Sequence, residues 1–187
     1  MTDRPLTSFE HVLLGSICMA PSSGYDLKRM FAVTPMGVYQ PSSGALYPAL
    51  RRLEQKGLVQ ASASGDGQSA RHRRVYEPTQ DGRTAHLRWL HAPVDPATVA
   101  PNLGLHLMRF VMMEHVLPRA EVLEFLEGLA GALEGFTGGL EEFAATTSMT
   151  DRHPLLALDH GLAVYRASLG WTRQTIAALS PSPAASQ

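Results

Sequence analysis

The sequence predicts a mostly α-helical protein with one small β-hairpin, arranged as an N-terminal module of short helices and a C-terminal part of long ones. Three observations carry this. Short amphipathic stripes separated by turn residues fill positions 1–91. A glycine-containing stretch, Gly65-Asp-Gly-Gln68, lies between two segments of strand character. Beyond Pro118, two runs repeat apolar residues at alternating steps of four and three.

Thr7 and Glu10 have capping-box spacing, so a first helix is expected over Ser8 to Met19, carrying Phe9, Val12, Leu13 and Ile17. Pro21-Ser-Ser-Gly24 interrupts it. Tyr25, Leu27 and Met30-Phe31 form a short second helix that displays Lys28 and Arg29, and Thr34 to Pro41 makes a turn. In the third helix, capped by Ser42 or Ser43, Leu46, Leu50 and Leu53 fall on one buried stripe, and Ser43, Tyr47 and Arg51 line up opposite. Pro48 leaves two readings open: the helix starts at Pro48, or it starts at Ser43 and leaves the Gly44 carbonyl free. Gly57 is placed to end it in a left-handed turn. Leu58 to Ala63 and His72 to Tyr76 then form the hairpin, and Thr79 caps a fourth helix that runs to Leu90.

Residues 92–101 hold three prolines and read as a linker between a module at 1–91 and a helical region at 102–179. A helix from Leu103 to Val116 is followed by the two long ones. The first seam is Val122, Leu126, Leu129, Leu133, Phe136, Leu140 and Phe143; the second is Leu155, Leu158, Leu162, Tyr165, Leu169, Thr172, Ile176 and Leu179. Gly128, Gly131, Gly135, Gly138 and Gly139 each cost roughly 1 kcal/mol relative to Ala in an exposed helix interior. Close packing of backbones is the expected compensation. Residues 180–187 are expected to be a disordered tail.

The net charge is −1, but it is unevenly spread. Residues 1–91 carry eleven Lys/Arg against seven Asp/Glu, and residues 92–187 carry five against ten, so the front half is +4 and the back half −5. A front half that faces nucleic acid is the natural reading. Cys18 is the sole cysteine, which excludes an intrachain disulfide, and its apolar neighbours mark it as a small buried hydrophobe rather than a redox sensor. No run is long and apolar enough to cross a bilayer, and Met1 to Pro5 lacks a signal pattern, so a cytoplasmic protein with no membrane partner is expected. No catalytic motif appears. His153 and His160 lack a third ligand at metal spacing, the histidines read as surface residues, and no catalytic residue, metal or cofactor is assigned.

Three short helices followed by a basic hairpin is the order of a winged helix-turn-helix, with the third helix in the DNA groove and the hairpin against the backbone. The candidate DNA contacts are Tyr25, Lys28, Ser42, Ser43, Gly44, Tyr47, Arg51, Arg52, Arg71, Arg73 and Arg74. Leu126, Leu133, Leu140, Leu162, Tyr165, Leu169 and Ile176 are the candidate dimerisation residues. Met108, Met112 and Trp171 are candidates for an effector pocket, although packing filler is the commoner use of such side chains.

Val12-Leu-Leu-Gly-Ser16, Ser23-Gly-Tyr-Asp-Leu-Lys28, Ser43-Gly-Ala-Leu-Tyr-Pro-Ala-Leu-Arg-Arg-Leu-Glu54, Lys56-Gly-Leu-Val59, Arg74-Val-Tyr76 and Thr79-Gln-Asp-Gly-Arg83 resemble the PadR family of transcriptional regulators, in its branch with a long C-terminal domain. The resemblance implies that Pro48 lies inside the recognition helix. It also implies a homodimer joined by the C-terminal helices, binding of double-stranded operator DNA, and release by a small molecule or another signal such as stress. The expected function is therefore that of a sequence-specific repressor on an inverted repeat, with a small aromatic or hydrophobic effector; the alternative is a winged-helix adaptor that binds protein without DNA specificity. An enzyme built on a winged helix would need a nucleotide-binding α/β domain, and residues 102–179 read as helices alone.

Overall fold

The computed structural model describes residues 4–33, 43–64 and 73–181. In chain order the elements are α1 (Ser8–Met19), β1 (Ser22–Ser23), α2 (Gly24–Val33), α3 (Ser43–Gln55), β2 (Val59–Ser64), β3 (Arg73–Pro78), α4 (Gln80–His91), α5 (Pro96–Val99), α6 (Leu103–Met113), α7 (Arg119–Thr146) and α8 (Arg152–Leu179). They fall into two compact units, Met1–Ala92 with Leu107–Met112, and Pro93–His106 with Met113–Gln187.

In the first unit the capping box forms as the spacing predicts. The Glu10 amide donates to Thr7 Oγ1 at 3.2 Å, and the Thr7 amide donates to Glu10 Oε2 at 2.8 Å. Val12, Leu13, Leu14 and Ile17 of α1 are fully buried and meet Leu27, Phe31, Leu46, Ala49, Leu50 and Leu53 in one core. Pro48 lies within α3. The Gly44 carbonyl that its missing N–H leaves free belongs to an exposed residue, so water can satisfy it. Gly57, at φ +69°, closes α3 in a Schellman turn: the Leu58 amide donates to Leu53 O at 2.9 Å, and the Gly57 amide to Glu54 O at 2.9 Å.

The hairpin is part of a larger sheet than the pattern predicts. β2 and β3 pair antiparallel from Val59↔Pro78 to Ser64↔Arg73, and β1 adds a third strand with Ser22↔Tyr76 and Ser23↔Val75, in the order β1-β3-β2. Ser22-Ser23 shows no alternation of its own, since only β3 makes it a strand. Thr79 caps α4 by accepting the Gly82 amide at 3.0 Å.

In the second unit α7 packs along α8. Phe125, Leu126, Leu129, Ala132, Leu133 and Thr137 are buried on one side, and Leu162, Leu169 and Thr172 on the other. Phe136 and Tyr165 meet edge to face at 4.7 Å, and Arg166–Glu141 and Arg173–Glu134 pair at the rim at 2.7 and 2.8 Å. Three expectations change here. The stretch read as a linker contains α5, capped by Asp95 and packed on α7. The helix expected to reach Val116 stops at Met113, with His115 in the left-handed region at φ 59°. Four of the five glycines do not serve close packing within the chain: a Cβ at Gly131, Gly135, Gly138 or Gly139 would meet nothing within 4 Å, while one at Gly128 would touch Val94 at 3.7 Å. Gly128, Gly131 and Gly135 each follow a seam leucine by two residues, about 200° around the helix, and so lie on its far face.

Candidate nucleic-acid interface

The face of α3 opposite its buried stripe is open. Gly44, Tyr47 and Arg51 are exposed, Tyr47 by 45 %, and among the described residues Arg51 makes no ion pair. Tyr47 leans on the start of α2, where a Cβ at Gly24 would come 2.7 Å from the Tyr47 ring. Glycine at 24 therefore lets the two helices approach. Tyr25 and Lys28, three apart on α2, are exposed beside this junction. On β3, Arg74 pairs with Glu54 at 2.7 Å and lies 5.7 Å from the centre of the Tyr76 ring, yet keeps 55 % of its side chain exposed. Ser42 and Arg71, and the side chains of Ser43 and Arg73, lie outside the described residues.

Arg52 is placed differently from Arg51. Its Nε donates to Glu10 Oε1 at 2.5 Å, while Glu10 is only 2 % exposed. Burial by itself would raise the Glu10 carboxyl. The hydrogen bonds from Thr7 and Arg52, with the Arg52 charge, outweigh it and hold the group below the usual carboxylate range. Sequence reasoning missed this pair, which joins residues 42 apart.

Behind this face lies a cluster of histidines that sequence alone places at the surface. His11 stacks on Trp89 at 5.1 Å with planes 9° apart, and His86, at 4 % exposure, sits 6.0 Å from the same ring. Burial, with His11 nearby, pushes His86 down to about 4. Arg109 of α6 is buried and caps α4, donating to Leu90 O at 2.6 Å and to Ala92 O; burial lowers it to about 10, so it remains charged at neutral pH. Trp89 and His11 also wall a cleft of about 500 Å³ with Leu6, Leu58, Lys56 and Arg88. Burial raises the Cys18 thiol to about 11, which leaves it protonated and inert.

Met108 and Met112 are core residues of the first unit, Met112 Sδ filling the space left by Gly15, whereas Trp171 belongs to the second unit and is 37 % exposed. Leu126, Leu133, Leu162 and Leu169 are buried between α7 and α8 of one chain, and Leu140, Tyr165 and Ile176 are half-buried. Among the described residues no cluster of three potential metal ligands occurs, and no helix is long and apolar enough to cross a membrane.

A three-helix unit with an open third helix, followed by a β-hairpin, defines a winged-helix DNA-binding fold. Within that class, residues 13–87 match the transcriptional regulator PadR-like family. Solved structures similar to the chain include Bacillus subtilis PadR in complex with operator DNA, at 19% identity over 93% of this chain and 100% of that one, TM-score 0.44. The PadR-like regulator BC1756 from Bacillus cereus shares 21% identity over 96% and 99%, TM-score 0.43. The Vibrio cholerae virulence activator AphA shares 20% over 91% and 97%, TM-score 0.38. No curated protein sequence matches the chain.

Proposed function

We propose that the protein is a sequence-specific transcriptional repressor that binds an inverted-repeat operator as a homodimer. The observation that carries this reading is the exposed face of α3, where Gly44, Tyr47 and Arg51 stand clear of a helix whose other side is anchored by Leu46, Ala49, Leu50 and Leu53. A rigid helix that presents an arginine and a tyrosine can enter a major groove, while Tyr25, Lys28 and Arg74 meet the phosphates that flank it.

Support for pairing comes from the outer side of α8. Leu156, Val164 and Trp171 are exposed by 54, 38 and 37 %, and their spacing of eight and seven places them within about 80° of one another, away from the stripe on α7. A second copy is the natural cover for such a stripe, and two-fold pairing presents two recognition helices. The Trp89 cleft is the first unit's candidate entry for a small aromatic or hydrophobic effector, being within the size range of small-molecule sites.

The test is footprinting and gel shift against a duplex selected by the protein from a random pool, over a salt series. About 4 phosphates neutralised per subunit give a dimer a log-log slope of about −7. A protected inverted repeat with that dependence is expected, and a flat salt dependence would sink the proposal.

A further inference from the structure

We infer that Arg52 is a positioning residue that sets the aim of the recognition helix through Glu10 and is not itself a DNA contact; this rests on the DNA-binding reading above. Arg51 and Arg52 are adjacent in sequence, and composition alone gives them the same role. The helix separates them by about 100°. Arg51 continues the exposed row of Tyr47, whereas Arg52 flanks the buried stripe beside Ala49 and Leu53 and faces α1.

The anchor is unusually well fixed. Glu10 belongs to the first turn of α1, its backbone amide is held by Thr7 Oγ1, and one carboxylate oxygen takes the Thr7 amide. The other oxygen takes Arg52 Nε. With Glu10 2 % exposed, water cannot readily replace that partner, so the buried carboxylate holds Arg52 Nε while 45 % of the Arg52 side chain stays exposed. The leucines of α3 hold its buried stripe in the core, and apolar contact, being non-directional, fixes small rotations about the axis less sharply than a directional bond does. A directional ion pair to a capped helix end resists that rotation. A rotation of α3 moves Tyr47 and Arg51 together, and a groove contact tolerates little misalignment. The Arg52 side chain is directed to α1 rather than along the row of Tyr47 and Arg51.

The two roles predict opposite signs. If Arg52 were a contact, Glu10→Gln would free its charge, tighten DNA binding and steepen the salt slope. As a positioning residue, Glu10→Gln and Arg52→Met should each lower the ratio of selected-duplex to random-duplex affinity about tenfold or more. Affinity for random duplex and its salt slope should stay near the wild-type values. The double variant should be no worse than either single one, and Arg51→Ala should flatten the slope by about 0.9 per subunit. Circular dichroism confirms folding before each titration, and Arg52→Lys, which keeps the charge but cannot reproduce the Nε geometry, replaces Arg52→Met should that variant unfold. Arg52→Lys should then lose specificity while keeping random binding. Tighter binding by Glu10→Gln, or a flatter random-duplex slope for Arg52→Met, overturns the inference while leaving DNA binding intact. Wild-type protein with no preference for any duplex overturns both.

Discussion

His86 sits on α4, 4 % exposed, with neither ring nitrogen hydrogen-bonded among the described residues. Trp89 and Met112 crowd it, burial disfavours its protonation, and the nearby His11 disfavours it further. Its folded pKa of about 4 lies below the 6.5 of an unfolded histidine. The unfolded chain therefore binds the proton more readily, and the stability this represents is fully present above pH 6.5 and is lost as pH falls towards 4. The gap corresponds to about 3 kcal/mol. Thermal unfolding between pH 7 and pH 4.5 should show a steep fall in Tm for the wild type and a shallower one for His86→Leu. Equal slopes would mean that His86 is hydrated in the native state. The histidine could not be recognised as buried from the sequence, because the smallness of Gly15, which makes room for it, matters only once α1 and α4 are packed.

The junction between α3 and α4 shows the same dependence at the level of elements. The Thr79 amide donates to Leu58 O at 3.1 Å, Thr79 Oγ1 donates to Gly57 O at 2.6 Å, and Gly82 lies so close that a Cβ there would collide with the Leu58 carbonyl. At Gly15 the colliding atoms are the Met112 thioether and the edge of His86, which can move. Gly82→Ala should therefore cost roughly 3 kcal/mol or more and Gly15→Ala about 1 to 2, as measured by urea unfolding. Comparable losses would show that backbone at Leu58 yields as easily as a side chain. α1, α3, α4 and the hairpin were legible in the sequence because their signals are local: a capping box, a leucine stripe, a left-handed glycine and a cap at Thr79. Chemistry that depends on distant partners was not legible. β1 exists through β3, α5 through α7, and the Glu10–Arg52 pair through the packing of α3 on α1. The apolar seams of α7 and α8 were legible from their spacing, and four of the leucines expected at a dimer interface, Leu126, Leu133, Leu162 and Leu169, are buried within a single chain.

For the whole molecule, the proposed pairing of two copies has surface to draw on outside the α7–α8 seam. Leu162 and Leu169 are already buried, and the exposed side of α8 carries Leu156, Val164 and Trp171 instead. The net negative charge of the C-terminal half does not favour association of two copies, so the proposed pairing is argued from the apolar stripe. Introducing carboxylates into the stripe tests that without touching the hairpin's own core. The double change Leu156→Glu and Val164→Glu should leave helical content unchanged and convert the protein to a monomer in analytical ultracentrifugation. The same variant should bind a single half-site, with the salt slope falling from about −7 to about −4 because one subunit neutralises only its own phosphates. Affinity for the full repeat should drop more than affinity for random duplex, since coupling of two recognition helices is lost while the charge of each remains. A variant that stays dimeric would move the interface to the glycine face of α7, where four open glycines leave room for a helix to approach closely.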